Sequence, residues 1–191
     1  MRSISIGLLL NAVACLGAAA QTAEFKCPKP GTVVEWANGA RTTWVGQEGN
    51  FCRRQIKDQK GEEYLQNWYA PTFPARANQS QAFVEQVKAW TLWPLSVGKK
   101  LTGRFDGVGS NPGFGPGSWH ETVVVEAYEK IDTKIGQFDV FRVTRNEEAL
   151  SHRYQSTYRE WYAPALGVSV KVTFTDNQGT NLTFDVVRVT P

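Results

Sequence analysis

Each of the two histidines has carboxylates close by in the chain: His120 precedes Glu121, and His152 follows Glu147 and Glu148 by a few residues. Histidine beside an acid is raw material for a metal site or a base-activated nucleophile. A zinc site needs three or four converging ligands, and neither an H-x-x-x-H nor a C-x-x-C spacing occurs. Ser118 and Ser151 stand near the histidines, yet there is no G-x-S-x-G elbow, and adjacent residues on a strand face opposite ways. Glycoside hydrolysis by paired carboxylates is a third chemistry, for which a sheet could set Glu126, Glu160 or Asp185 across a cleft. A solvated sheet face produces the same pattern. The residues therefore assign no catalytic group, no metal and no cofactor, and a hydrolase acting through strand-borne carboxylates stays as an alternative only.

The stretch VVVEAYEKIDTKIGQFDVFRVTR, residues 123–145, poses the question sharply, because Glu126, Glu129, Asp139, Arg142 and Arg145 punctuate two apolar runs joined by a polar turn. Its elements suggest a hairpin whose charges are the wet side of a sheet. Along the first run Val123, Val125, Ala127 and Ile131 share one face, with Val124 and Tyr128 on the other. Along the second, the apolar phase moves from Phe138 and Val140 to Phe141 and Val143, and Val186-Val187 repeats the shift near the C-terminus. A shift of one residue is what a β-bulge accommodates, and bulges bend strands. GVSVKVTFTD, by contrast, alternates cleanly from Val168 to Phe174 and reads as a strand with one buried face.

The rest of the chain has the same texture. GTVVEWANGARTTWVG is a hairpin centred on Asn38-Gly39, and a second pair of strands is expected around Asp58 to Gly61. Pro71 and Pro74 are expected to stop the sheet, since proline removes a ladder donor. NQSQAFVEQVKAW, residues 78–90, is the one helix signal, with Phe83, Val87 and Trp90 on one face. The five glycines between Gly107 and Gly117 read as a loop, because no phosphate-binding pattern follows them. Five short strands are then expected up to Thr190. Together these predict a mainly β (α+β) protein: a strongly curved antiparallel meander sheet, a half-open barrel, with one covering helix.

The first 20 residues carry one positive charge at Arg2, an apolar run and the small residues Ala18 to Ala20, the pattern of a cleavable secretory signal. The run contains Asn11 and is shorter than the roughly 20 apolar residues a bilayer-spanning helix needs. Val13-Ala14-Cys15 loosely resembles a lipobox, but Ala12 is a poor match to its usual leucine. Export to the periplasm or beyond is the expectation, with a single domain over residues 21–191. Removing the signal takes Arg2 with it and leaves a net charge of +2. No run of five or six basic residues exists, so nucleic acid is not implied. Cys27 and Cys52 remain as an even pair in an oxidising compartment and are read as a structural disulfide.

Three blocks, WPLSVGKKL, VVVEAYEKIDTKIGQFDVFRV and REWYAPALGVSVKV, resemble in order those of a group of exported bacterial proteins of unknown function, the TapB-like group. The resemblance covers about residues 92–174, and Lys134 departs from the small residue often found before the turn glycine. It implies a curved antiparallel sheet like that of the bacterial lipoprotein carriers, and it carries over no catalytic residue.

Aromatic residues are the remaining signal. Seven tryptophans accompany one methionine, and Tyr154, Tyr158 and Tyr162 alternate along one strand. Such side chains serve a core or an apolar ligand groove. The second apolar face of the 123–145 hairpin must cover something, which suggests a groove lined by Phe138, Phe141, Tyr154, Tyr158 and Trp161. The expected partner is an apolar or amphipathic, lipid-like small ligand, with the 107–117 loop as its lid. A structural or assembly role in the cell envelope, with a filled interior, is the competing reading.

Overall fold

The computed structural model of the protein describes residues 21–49, 51–69, 71, 74–76, 92–108 and 116–191. Thirteen strands run through them: β1 (Thr22–Ala23), β2 (Val33–Trp36), β3 (Arg41–Glu48), β4 (Phe51–Lys57), β5 (Glu63–Trp68), β6 (Pro74–Arg76), β7 (Leu95–Ser96), β8 (Lys100–Val108), β9 (Pro116–Thr133), β10 (Gly136–Ala149), β11 (Gln155–Ala163), β12 (Val168–Asp176) and β13 (Asn181–Thr190). Eleven form one antiparallel sheet in the order β6-β5-β4-β3-β2-β13-β12-β11-β10-β9-β8, and β1 pairs with β7 beside it. Two meanders are thus joined into one sheet where the last strand, β13, lies against β2.

The turns follow the sequence closely. Gly39, at φ 86°, donates its N–H to Trp36 O, closing the β2–β3 hairpin. At the β4–β5 turn Asp58 Oδ1 accepts from the N–H groups of Lys60 and Glu62. The sheet does not stop at the prolines: β6 begins at Pro74 and pairs with β5. That position is one proline tolerates, the first residue of an edge strand.

The sheet is rolled. Trp68 on β5 and Tyr162 on β11 are six strands apart in sheet order, about 29 Å along a flat sheet at ~4.8 Å per strand. Their ring centroids are 5.9 Å apart. Among the described residues no pairing closes the roll into a barrel, and β6 and β8 are its ends. Register shifts supply bends: at Val187 on β13, at Val45 on β3, at Glu126 on β9 opposite Arg142/Val143, and at Val170 on β12 opposite Trp161/Tyr162.

Two of these bulges alter the expected faces. On β9 the extra residue Glu126 turns Tyr128 inward against Phe141 and sends Ile131 to the opposite side. On β12 the bulge breaks the clean alternation, so that buried Ser169 faces inward with Val172 while Val170 joins the cluster on the other side. The interior is packed by Trp44, Trp68, Trp119, Phe141, Tyr154 and Tyr162, and by Phe25, Leu92, Trp93 and Leu95 from the segments around β1 and β7. A second, smaller cluster of Val140, Ala163 and Val170 sits on the outer side under Ile131, Phe138 and Trp161.

Cys27 and Cys52 are bonded, with Cα atoms 5.5 Å apart, and tie the segment after β1 to β4. No helix occurs among the described residues, and none is therefore long and apolar enough to cross a membrane. The helix expected over 78–90, the glycine-rich segment 109–115 and the signal over residues 1–20 lie outside the described residues.

Candidate functional site

β11 organises the inner face. Its period of two places Ser156, Tyr158, Glu160 and Tyr162 on the same side, and buried Tyr154, just before the strand, keeps the same phase. Tyr154 packs edge-on against Trp119, and its hydroxyl donates to Asp176 Oδ2 at 3.4 Å. Ser156 donates to Glu147 Oε2 at 2.8 Å, and Glu160 accepts from Ser169 at 2.5 Å. Tyr162 closes the series between Trp68 and Trp93.

Near one end of this face lies a buried ionic group. Glu121 on β9 and Glu147 on β10 are direct cross-strand partners, and Arg145 lies between them. Arg145 grips Glu121 with two parallel bonds, Nε to Oε2 at 3.0 Å and Nη2 to Oε1 at 2.6 Å, and reaches Glu147 Oε1 with Nη2 at 2.5 Å. Both carboxylate side chains are 0 % exposed. Burial pushes the Glu121 carboxyl above the usual carboxylate range, and the Arg145 cation beside it offsets only part of that. Burial alone would lower Arg145, but the charges of Glu147 and Glu121 outweigh it and hold the guanidinium above its ordinary value.

Toward the other end is a cavity of about 50 Å³ whose lining includes Trp36, Trp44, Trp68, Arg54, Tyr158 and Glu160. Arg54 crosses from β4, its guanidinium 5.3 Å over the Trp44 ring and its Nε donating to Gln66 Oε1 at 2.7 Å. Desolvation lowers Arg54, countered by the negative charge of Glu160. Burial, and then Glu160, push Tyr158 well above its ordinary value, so its hydroxyl keeps its proton. Among the described residues, buried Trp44 Nε1 has no hydrogen-bond partner. The cavity is thus lined by aromatic rings, a cation and an acid.

The five residues expected to line one groove are divided by the sheet. Phe141 and Tyr154 are buried in the interior, and Tyr158 lines the cavity. Phe138 and Trp161 belong to the outer cluster, where Trp161 Nε1 donates to Glu129 Oε1 and Lys171 lies 5.1 Å over its ring. A second concavity, about 550 Å³ across β9 to β12, is lined by polar residues, including His120, Thr122, Asn146, Glu148, Gln155 and Thr157. It is not the apolar groove that the aromatics suggested.

The carboxylates weighed for hydrolysis do not converge either. Glu126 bonds Arg142 Nε at 2.9 Å on the outer side, whereas Glu160 faces inward, so the pair cannot flank one bond. Asp185 is the cross-strand neighbour of Lys171, which lies over the outer Trp161. His152 Nδ1 lies 2.9 Å from Ser151 Oγ, and its ring meets Trp119 edge-on. Among the described residues no three His, Cys, Asp or Glu side chains are grouped to hold a metal ion.

No protein-family model matches the chain, and no curated protein matches it. Some solved structures are similar to it, at low identity and low TM-score. A protein with a YmcC-like fold from Bacteroides fragilis is 12 % identical, with a TM-score of 0.41, over 88 % of this chain and 100 % of that one. The hypothetical lipoprotein YmcC of Escherichia coli is 9 % identical, with a TM-score of 0.42, over 84 % of each chain. A third likeness, to a lipoprotein of Parabacteroides distasonis, has 11 % identity and a TM-score of 0.43 over 89 % of this chain and 100 % of that one.

Proposed function

We propose that this chain is an exported, non-catalytic binding protein whose rolled sheet receives the polar end of an amphipathic ligand beside Arg54. The observation that carries the reading is the make-up of the small cavity: three tryptophans, the Arg54 cation and the Glu160 acid share one lining. Apolar walls with a few convergent polar groups are the usual chemistry of a small-molecule site. Its volume of about 50 Å³ suits a compact head group and excludes a whole acyl chain, which would have to lie outside or displace side chains.

A second reading, a structural component of the envelope, is favoured by a different observation. Rings from β3, β5, β11 and the segment before β7 pack directly against one another in the interior. Native mass spectrometry of protein purified gently from its own cells separates the two readings, followed by titration with a fatty acid or a lysophospholipid under tryptophan fluorescence. Binding predicts a co-purifying mass and a fluorescence change that Arg54→Met weakens. Apo protein and a flat titration would leave the structural role.

A further inference from the structure

The outer face of β9 to β12 carries a polar concavity that the binding reading does not use. Register lays its floor out in two cross-strand rows: His120, Glu148 and Gln155 in one, and Thr122, Asn146, Thr157 and Thr175 in the next. These residues alternate with buried Glu121, Glu147, Ser156 and Phe174, so they point away from the interior. All of them line the concavity of about 550 Å³, a volume within the range of small-molecule sites. At ~4.8 Å per strand the Thr122 to Thr175 row is about 14 Å long.

The lining narrows the guest. Among the described residues it contains no lysine or arginine, which disfavours a phosphate or carboxylate group. It contains no large apolar side chain either, which disfavours an acyl chain. No three His, Cys, Asp or Glu side chains are grouped to hold a metal ion among these residues. What the floor offers is mixed hydrogen bonding without a net cation: threonine hydroxyls that donate and accept, the amides of Asn146 and Gln155, and the acceptor oxygens of Glu148. Parts of it are held in place. Thr157 donates to Asn146 Oδ1 at 2.8 Å and so orients that amide. Asn177 braces the rim, donating to Arg153 O at 2.7 Å and accepting from the Gln155 N–H at 3.2 Å. Asp176 Oδ1 accepts from the N–H groups of Gln178 and Thr180 and serves its own turn. A neutral sugar presents the complementary set, closely spaced hydroxyls that each donate and accept and carry no charge.

We propose that this face binds a neutral oligosaccharide, laid across β9 to β12 along the Thr122 to Thr175 row, with Glu148 and Asn146 among the groups that take its hydroxyls. The site lies on the opposite side of the sheet from the Arg54 cavity, so the two readings stand or fall separately. Amide chemical-shift mapping of the intact protein tests it, with neutral trisaccharides of glucose, mannose and galactose as probes, and putrescine and a lysophospholipid as the cationic and acyl alternatives. At least one trisaccharide should shift the backbone amides of the two rows. Thr157→Val and Asn146→Ala should each weaken that binding by about fivefold or more, the loss of roughly one hydrogen bond. Thr173→Val, one row further along the same face, should leave it unchanged. Unaltered urea midpoints would show that the variants are folded. The proposal is overturned if no trisaccharide moves these amides at about 10 mM, far above a millimolar dissociation constant. Shifts with putrescine or the lysophospholipid alone would overturn it too, as would sugar binding that survives in the Asn146→Ala, Thr157→Val double variant.

Discussion

Arg142 and Arg145 stand three residues apart on β10 and face opposite sides of the sheet. Arg142, about a third exposed, pairs with Glu126 and Glu129 on the outer face, while Arg145 is buried between Glu121 and Glu147. The charges of the 123–145 hairpin are therefore two populations. Partly exposed pairs are worth roughly 0–1 kcal/mol, whereas stripping one partner from a buried group costs about 3–5 kcal/mol. Arg142→Ala should lower stability by less than about 1 kcal/mol in urea unfolding, and Arg145→Ala by several times as much. Equal losses would contradict the assignment of faces.

How much of this was legible is clear from β10 itself. Its run of apolar residues showed a phase shift, and the strand does carry apolar clusters on both sides, with Val143 and Phe141 inside and Val140 and Phe138 outside. The identity of the bulged residue was not legible, because the extra residue sits on β9, at Glu126, where the pattern alone offers several registers. That one unread residue reversed the faces of Tyr128 and Ile131. The buried acids left a signal that spacing could have found: Glu121 keeps the phase of buried Val123 and Val125, and Glu147 that of Ala149. Arg54 left none, since its place in the cavity depends on β4 meeting β11 across the roll. Pairing of β13 with β2 is likewise a contact between the two ends of the chain, beyond the reach of any local pattern.

The disulfide joins residues 25 apart and should stabilise the chain mainly by restricting the unfolded state. Replacing Cys27 and Cys52 together by alanine is expected to cost about 3 kcal/mol in urea unfolding. The same loss should follow reduction of the parent. A double variant as stable as the oxidised parent would mean that strain cancels the entropic gain.

The opposed faces of Glu126 and Glu160 bear on the hydrolase alternative. Esters, glycosides and phosphoesters offered to purified protein should show no turnover above background, because Glu126 and Glu160 lie on opposite faces of the sheet and cannot flank one bond. Turnover abolished by Glu160→Gln but kept by Glu126→Gln would place an activity inside the roll and overturn the non-catalytic reading.

Closure of the roll rests on rings that are distant in sheet order. Trp68 meets Tyr162 at 5.9 Å, and both meet Trp93, at 6.1 and 5.5 Å. A flat or loosely curved sheet would leave these residues independent of each other. The rolled sheet makes them neighbours, and aromatic pairs contribute about 0.5–1.5 kcal/mol beyond their buried area. Trp68→Leu and Tyr162→Leu should each destabilise the protein by about 2 kcal/mol or more, and the double variant should lose less than the two single losses added together. A coupling of about 1 kcal/mol is expected from the four urea curves. Losses that add to within about 0.3 kcal/mol would mean the two strands do not meet in solution, and the cavity beside Arg54, whose walls come from the same two arms of the sheet, would have to be abandoned with them.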